Sequence, residues 1–201
     1  MQLIDTEDPS AAHPDIIGEA KISIITVVKD GQKCLEDTIK SVISQSYKNY
    51  EYIIIDGKST DDTVEIIKRY EKYITHWMSE KDNGIYDAMN KGIKLAKGDS
   101  INLLNCGDML SEDALNKVAS KMNLKDSVVY SDYYRVYNDL NIKRYDISTL
   151  SYWFGMTICH QSMFVGKDVY KNFGVYKTSY RLASDYEMLL RLRKANVQFE
   201  K

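Results

Sequence analysis

Apolar, mostly β-branched residues run almost unbroken from Ile22 to Val28, and again through Tyr52-Ile53-Ile54-Ile55. Consecutive apolar positions over that length predict strands covered on both faces, as in a parallel sheet. Between them, after a break at Gly31, Leu35, Ile39, Val42 and Ile43 recur at helical spacing up to about Ser46. Glu51 to Asp56 forms the second predicted strand. Ser59-Thr60-Asp61-Asp62 supplies the caps and acidic first turn of a helix carrying Val64, Ile67 and Tyr70. A third strand is expected from Ile74 to Ser79. A helix from Ile85 to Ala96 follows, with Ile85, Met89, Ile93 and Ala96 on one face and Gly98 ending it. The next apolar stretch, from Ser100, reads as a fourth strand that runs straight into the glycine turn closed by Asp108. This alternation, closed by right-handed crossovers, predicts an α/β fold with a doubly wound, mostly parallel sheet through Asp108.

Beyond Asp108 the rhythm changes. Ala114 to Met122 reads as a short helix. Ser127 to Tyr137 reads as one strand with alternating tyrosines, and Lys143 to Asp146 as its partner. Cys159 to Val165 is a further strand by its apolar content, followed by helices at Lys167 to Phe173 and Ser184 to Lys194. Val197 to Lys201 reads as the start of a strand, so a carboxyl-terminal truncation is expected. Residues 1–20 hold both prolines and no periodicity, and read as a loose extension.

The 201 residues suit one globular domain with a substantial core. The 27 basic and 29 acidic residues are interleaved, without the basic stripe that a phosphate backbone requires, so nucleic acid is not expected as a partner. Cys34, Cys106 and Cys159 show neither a CxxC pair nor metal-finger spacing, and read as reduced thiols of a cytosolic protein. No apolar run reaches the ~18 residues of a membrane span. The protein is expected in the cytoplasm, and peripheral contact at the inner face of a membrane is compatible with this. Sixteen tyrosines would serve core packing or sugar stacking equally well.

The chemistry concentrates where strands end. Thr26 to Asp30 follows the first strand, Asp56-Gly57-Lys58-Ser59 the second, Glu80 to Gly84 the third, and Asn105-Cys106-Gly107-Asp108 the fourth. In a parallel sheet these segments emerge at one edge, the edge at which ligands bind. A carboxylate such as Asp108 held there suits a hard cation with a diphosphate, although Asn-x-Gly-Asp is also good turn chemistry on any fold. No P-loop and no GxGxxG is present, so phosphates must be held by a metal and by side chains.

Taken in order, Ile24 to Val28, Ser41 to Gln45, Glu51 to Asp61, Ser79 to Asn90, Leu103 to Asp108, His160-Gln161 and Ala183 to Glu187 resemble the family 2 glycosyltransferases of the GT-A fold, in their bacterial polysaccharide-type branch. The resemblance spans roughly residues 21 to 199. It implies a Rossmann-like central sheet with helices on both faces, a nucleotide-sugar half (21–108) and a smaller mixed acceptor half (109–201). It implies an inverting, metal-dependent transfer of a sugar from a nucleotide-diphosphate donor, typically a UDP-sugar, to a sugar or lipid-linked acceptor. Asp56 matches the base-recognising acid, with Thr26 and Val28 lining that pocket. Asn90 and Lys91 fall near the diphosphate, and Asp82 and Asp87 belong to the same acidic segment. Asp108 matches the last acid of the motif that binds Mg²⁺ or Mn²⁺, and Asn105 stands where its first acid is usual. Asp185 matches the general base, and His160 is placed to contact acceptor or metal. Against this stand a nucleotidyltransferase, which would need a glycine-rich basic loop after the first strand, a phospho-receiver domain, and a non-catalytic scaffold of the same fold.

Overall fold

The computed structural model describes residues 20–121, 125–138, 141–145 and 158–201. Most of the expected amino-terminal extension lies outside the described residues. The elements run β1 (Ile22–Val28), α1 (Leu35–Ile43), β2 (Tyr50–Asp56), α2 (Thr63–Arg69), β3 (His76–Ser79), α3 (Ile85–Leu95), β4 (Ser100–Leu103), α4 (Ala114–Ala119), β5 (Val128–Tyr130), β6 (Tyr133–Asn138), β7 (Asn141–Tyr145), β8 (Met163–Gly166), α5 (Lys167–Phe173), α6 (Ser184–Lys194) and β9 (Phe199–Glu200).

Seven of these strands form one sheet in the order β3-β2-β1-β4-β8-β5-β9. β1 lies in parallel register with β2, Ile22 opposite Tyr50 and Val28 opposite Asp56, and β4 flanks it on the other side with Ile25 opposite Leu103. Every pairing is parallel except those of β8, which runs antiparallel to both β4 and β5. The sheet therefore carries a parallel amino-terminal part and a mixed carboxyl-terminal part.

The unbroken apolar strands have the reason given by their pattern: helices cover both faces. Ile22, Ile24 and Val28 pack with Leu35, Ile39 and Val42 of α1 and Ile66 and Ile67 of α2. Ile25 and Val27, pointing the other way, pack with Met89 and Ile93 of α3 and with Leu189 and Leu192 of α6. At the edge away from the strand carboxyl ends, Glu51 is 3% exposed. It accepts hydrogen bonds from Ser23 Oγ at 2.6 Å, from the Lys97 N–H and from the Gly98 N–H at 3.1 Å, and pairs with Lys21 at 3.1 Å.

Three expected strands are corrected. The stretch from Ser127 to Tyr137 is two strands in two sheets: β5 joins the main sheet, whereas β6 pairs antiparallel with β7 in a separate ribbon. Neither alternation nor tyrosine content marks a break at Ser131-Asp132. The stretch from Cys159 to Val165 becomes a strand only at Met163. His160 to Ser162 form a single 3-10 turn, fixed by Asn102 of β4, whose Nδ2 donates to the carbonyls of Gln161 and Met163, both at 2.9 Å. β3 begins at His76, two residues later than expected, because Glu71–Tyr73 form a 3-10 turn first.

Candidate active site

All four expected segments emerge at the carboxyl ends of β1 to β4. The loops after β1 and β2 are laced together. Asp30 accepts from the Thr60 N–H at 2.8 Å, its own N–H donates to Ser59 Oγ at 2.8 Å, and the Gly31 N–H donates to Thr63 Oγ1 at 2.8 Å. Asp56 is fully buried at the end of β2. Its carboxylate accepts from the Ser59 N–H and hydroxyl and from Ser79 Oγ. Thr26 and Val28 are also buried, and Thr26 Oγ1 lies 3.0 Å from the Tyr52 hydroxyl. Asp82 folds over the end of β2: a Cβ on Gly57 would stand 2.4 Å from its Oδ2.

Around the start of α3 the acidic segment organises Lys91. Its ammonium lies 2.7 Å from Glu80 and 3.6 Å from Asp87, and donates to the Lys81 carbonyl. Asp87 also accepts from the Asn83 N–H at 3.0 Å. Asn90, next to Lys91, contacts a different segment. It donates from Nδ2 to the Tyr176 carbonyl at 2.8 Å and accepts the Tyr176 N–H at 3.0 Å. It thereby fixes Tyr176, whose ring stacks on Tyr86 with centroids 5.6 Å apart.

The turn after β4 is held by a polar stripe of α1. Cys34, Thr38 and Ser41 repeat at helical spacing, and Gln45 continues the row past the end of the helix. Cys34 Sγ meets Cys106 Sγ at 3.0 Å, Thr38 Oγ1 accepts the Gly107 N–H at 2.9 Å, Ser41 Oγ accepts the Leu110 N–H at 3.2 Å, and Gln45 Nε2 donates to the Ser111 carbonyl at 3.0 Å. Gly107 has φ +95°, which an L side chain rarely adopts. This turn delivers Asn105 and Asp108 to the 3-10 turn at His160. Asn105 Nδ2 lies 3.1 Å from His160 Nε2, and Gln161 Nε2 donates to Asp108 Oδ2 at 3.0 Å.

From the opposite side α6 brings Asp185. Its Oδ2 lies 3.2 Å from His160 Nδ1, and its Oδ1 accepts from the Tyr86 hydroxyl at 3.0 Å and the Tyr186 N–H at 2.9 Å. If the Asn105 amide nitrogen donates to Nε2, the ring proton sits on Nδ1 and is donated to Asp185. Asn105, His160, Asp185 and Tyr86 thus form one chain of contacts running from β4 to α3. Gln161 and Tyr86 were absent from the sequence-derived site. Both lie inside the matched segments, but only the fold brings them to the carboxylates.

The two aspartates are tuned in opposite directions. Burial pushes the Asp108 carboxyl above its ordinary value, and the bond from Gln161 and the nearby His160 offset only part of this. Burial acts on Asp185 as well, yet the hydrogen bonds from His160, Tyr186 and Tyr86 outweigh it and hold the carboxyl below its ordinary value. Asp185 is therefore ionised at neutral pH, as a general base must be. It opens into a cleft of about 480 Å³ lined also by Tyr133, Arg135, His160, Leu182 and Tyr186.

The turn offers oxygen donors of the kind that Mg²⁺ and Mn²⁺ prefer. Asp108 is a carboxylate raised by burial, which a cation would relieve. Asn105 Oδ1, on the same turn, is buried without a hydrogen-bond partner. Among the described residues no three His, Cys, Asp or Glu side chains converge as a metal cage. Asn105 and Asp108 thus offer two oxygen donors from one turn.

The model of glycosyl transferase family 2 matches residues 23–181. An uncharacterized glycosyltransferase of Mycobacterium tuberculosis is 31% identical over 183 residues, covering 85% of this chain and 68% of the relative. A PGL/p-HBAD biosynthesis glycosyltransferase of Mycobacterium bovis is 30% identical over 180 residues, covering 84% and 68%. Among solved structures, Staphylococcus aureus TarS 1-349 in complex with UDP-GlcNAc superposes with TM-score 0.70 at 16% identity, over 85% of this chain and 52% of that one. A Pyrobaculum calidifontis mannosyltransferase in complex with GDP-Man and Mn²⁺ gives TM-score 0.70 at 13% identity, over 97% and 58%. At these identities the structures share the fold, which is that of the GT-A glycosyltransferases. The chain spans about two thirds of the curated relatives and little more than half of the solved ones.

Proposed function

The chain belongs to glycosyl transferase family 2, and from that premise we propose that it moves a sugar from a nucleoside-diphosphate donor, a UDP-sugar, to an acceptor hydroxyl with inversion at the anomeric carbon. The observation that carries this reading is the setting of Asp185, a carboxylate kept ionised by three hydrogen bonds at the wall of an open cleft. An acceptor hydroxyl entering that cleft gives its proton to Asp185 while its oxygen attacks the anomeric carbon. The new C–O bond forms on the face opposite the departing diphosphate, and the bond to the diphosphate oxygen breaks. His160 and Tyr86 keep the carboxylate aimed, so little reorganisation accompanies proton transfer.

The donor lies across the carboxyl ends of β1 to β4. Asp56 takes the base, with Thr26 and Val28 beneath it. Asp82, Asp87 and Lys91 border the phosphates and the sugar. Asn90 supports this wall through Tyr176 and Tyr86. Asp108 and Asn105 would hold Mg²⁺ or Mn²⁺, which when bound neutralises charge on the leaving diphosphate. This makes a second carboxylic acid beside the sugar unnecessary, unlike in glycosidases. The complexes of structural relatives with UDP-GlcNAc, and with GDP-Man and Mn²⁺, support a nucleoside-diphosphate sugar and a divalent cation. No described helix is long and apolar enough to cross a membrane. Work in the cytoplasm on a lipid-linked or polysaccharide acceptor, with peripheral contact at the inner membrane face, completes the reading.

The test is calorimetric titration of UDP in Mn²⁺ and again in EDTA, on the wild type and on Asp185→Asn, followed by turnover with UDP-sugars. The expected result is metal-dependent binding in both proteins and a ~10²–10⁴-fold loss of turnover in the variant. Full turnover by Asp185→Asn would remove its role as base. Binding of GDP in preference to UDP would replace the assigned donor, and binding without transfer by the wild type would favour a scaffold.

A further inference from the structure

Cys34 and Cys106, distant in sequence, meet on the far side of the turn that carries Asp108. Their sulfurs stand 3.0 Å apart, about 1 Å beyond a covalent S–S bond, and both thiols are half-buried and free. The room for this meeting is made by Gly31. A Cβ there would stand 2.7 Å from Cys106 Sγ and 2.5 Å from Val28 Cγ2, and the Gly31 carbonyl faces both thiols. Cys34 occupies the amino-terminal cap of α1, the helix whose Thr38 and Ser41 already hold Gly107 and Leu110. The third thiol, Cys159, lies elsewhere, against Gln161.

We infer that Cys34 and Cys106 form a reversible disulfide site that controls the geometry of the Asn105–Asp108 turn. The site takes a two-electron oxidant of the peroxide class. The Cys34 thiolate attacks a peroxide oxygen, breaking the O–O bond; sulfenic acid forms at Cys34, and the departing hydroxide leaves as water. Cys106 sulfur then attacks the Cys34 sulfur and expels the sulfenic oxygen as a second water. In sum, two thiols and one peroxide become one disulfide and two waters. The same balance holds with the two sulfurs exchanged.

Closing the gap requires Cys106 and α1 to approach. Asn105 precedes Cys106 directly and Asp108 is two residues beyond it, so the movement draws both away from His160 and Gln161. The oxidised turn would then present its oxygens in a different arrangement to any metal or diphosphate. This effect on the site rests on the donor-site reading given above; formation of the bond does not.

Intact-mass spectrometry and thiol counting before and after hydrogen peroxide test the bond itself. The expected result is a loss of two of three thiols, a Cys34–Cys106 cross-link in the peptide map, and full reversal by dithiothreitol. Cys34→Ser should form no cross-link. Retention of all three thiols, or a bond to Cys159, overturns the proposal. Titration of UDP with Mn²⁺ into the reduced and oxidised wild type tests the consequence, with affinity expected to fall about tenfold on oxidation and Cys34→Ser expected not to respond. Equal affinity of the two forms overturns control of the turn. Absence of binding in the reduced protein would overturn the donor-site reading instead, while the thiol count would still decide the bond.

Discussion

His160 stands between Asn105 and Asp185, with Nε2 3.1 Å from the amide nitrogen of one and Nδ1 3.2 Å from the carboxylate of the other. The ring is thus a spacer that joins the turn after β4 to the start of α6. It also carries the donor that keeps Asp185 ionised and aimed. Replacing His160 by Ala should lower kcat by about ten- to a hundredfold, the usual cost of losing such an orienting partner. KM for the nucleotide sugar should change little. His160→Gln, which keeps an N–H donor, should recover part of the loss. Equal loss in both variants, with intact folding, would show that orientation of Asp185 does not depend on this bond.

The opposed tuning of the two aspartates has a direct readout. In carboxyl-carbon NMR of the metal-free protein, Asp108 should protonate above 3.8 and Asp185 below 3.8, their shared ordinary value. Added Mg²⁺ should move the Asp108 titration downward, because cation and proton compete for the same oxygens. Tyr86→Phe should move Asp185 upward by removing one of its donors. A reversed order of titration would contradict the hydrogen-bond assignment.

Much of this architecture is legible in the chain. The apolar runs of β1 and β2 and the periodic faces of α1 and α3 predict their elements. α5 and α6 fall on the residues expected, and the carboxylates at strand ends mark the edge where the site lies. What is not legible has a physical reason in each case. Strand direction has no compositional signature, so the antiparallel β8 cannot be read from Met163 to Gly166. The turn at His160 exists because of Asn102, a residue on another strand. Gln161 reaches Asp108 over 53 positions and Tyr86 reaches Asp185 over 99, distances that no local pattern encodes.

Gly57 offers a test of the donor side. Its alanine variant would put a Cβ 2.4 Å from Asp82 Oδ2, so the carboxylate must move while the rest of the loop stays as it is. UDP affinity should weaken roughly tenfold, equivalent to about 1.4 kcal/mol. The melting temperature should hardly change. Unaltered affinity would place Asp82 outside the nucleotide site.

Glu51 predicts a pH dependence of stability that is separate from catalysis. Burial raises its pKa, but the bonds from Ser23, the Lys97 N–H and Lys21 prevail and leave it below 4.5. A depressed carboxyl stabilises the fold above its unfolded value, and this contribution is lost as pH falls through the folded value. Glu51→Gln should cost about 2 kcal/mol at neutral pH, or roughly 4–8 °C in Tm for a domain of this size. That difference should shrink as pH drops through the folded value. A gap that stays constant down to acid would mean that the ionised carboxylate is not what these donors stabilise.

The single reversed strand has a consequence for how such enzymes diversify. β4 pairs with β1 on one side and β8 on the other, so the end of the parallel region is not a free border. A recombination joint placed just after Asp108 would bring in a foreign β8 that must match Ser100 to Asn102 in register and must itself accept their Asn102 side chain. Exchange of whole halves is therefore constrained by one short seam.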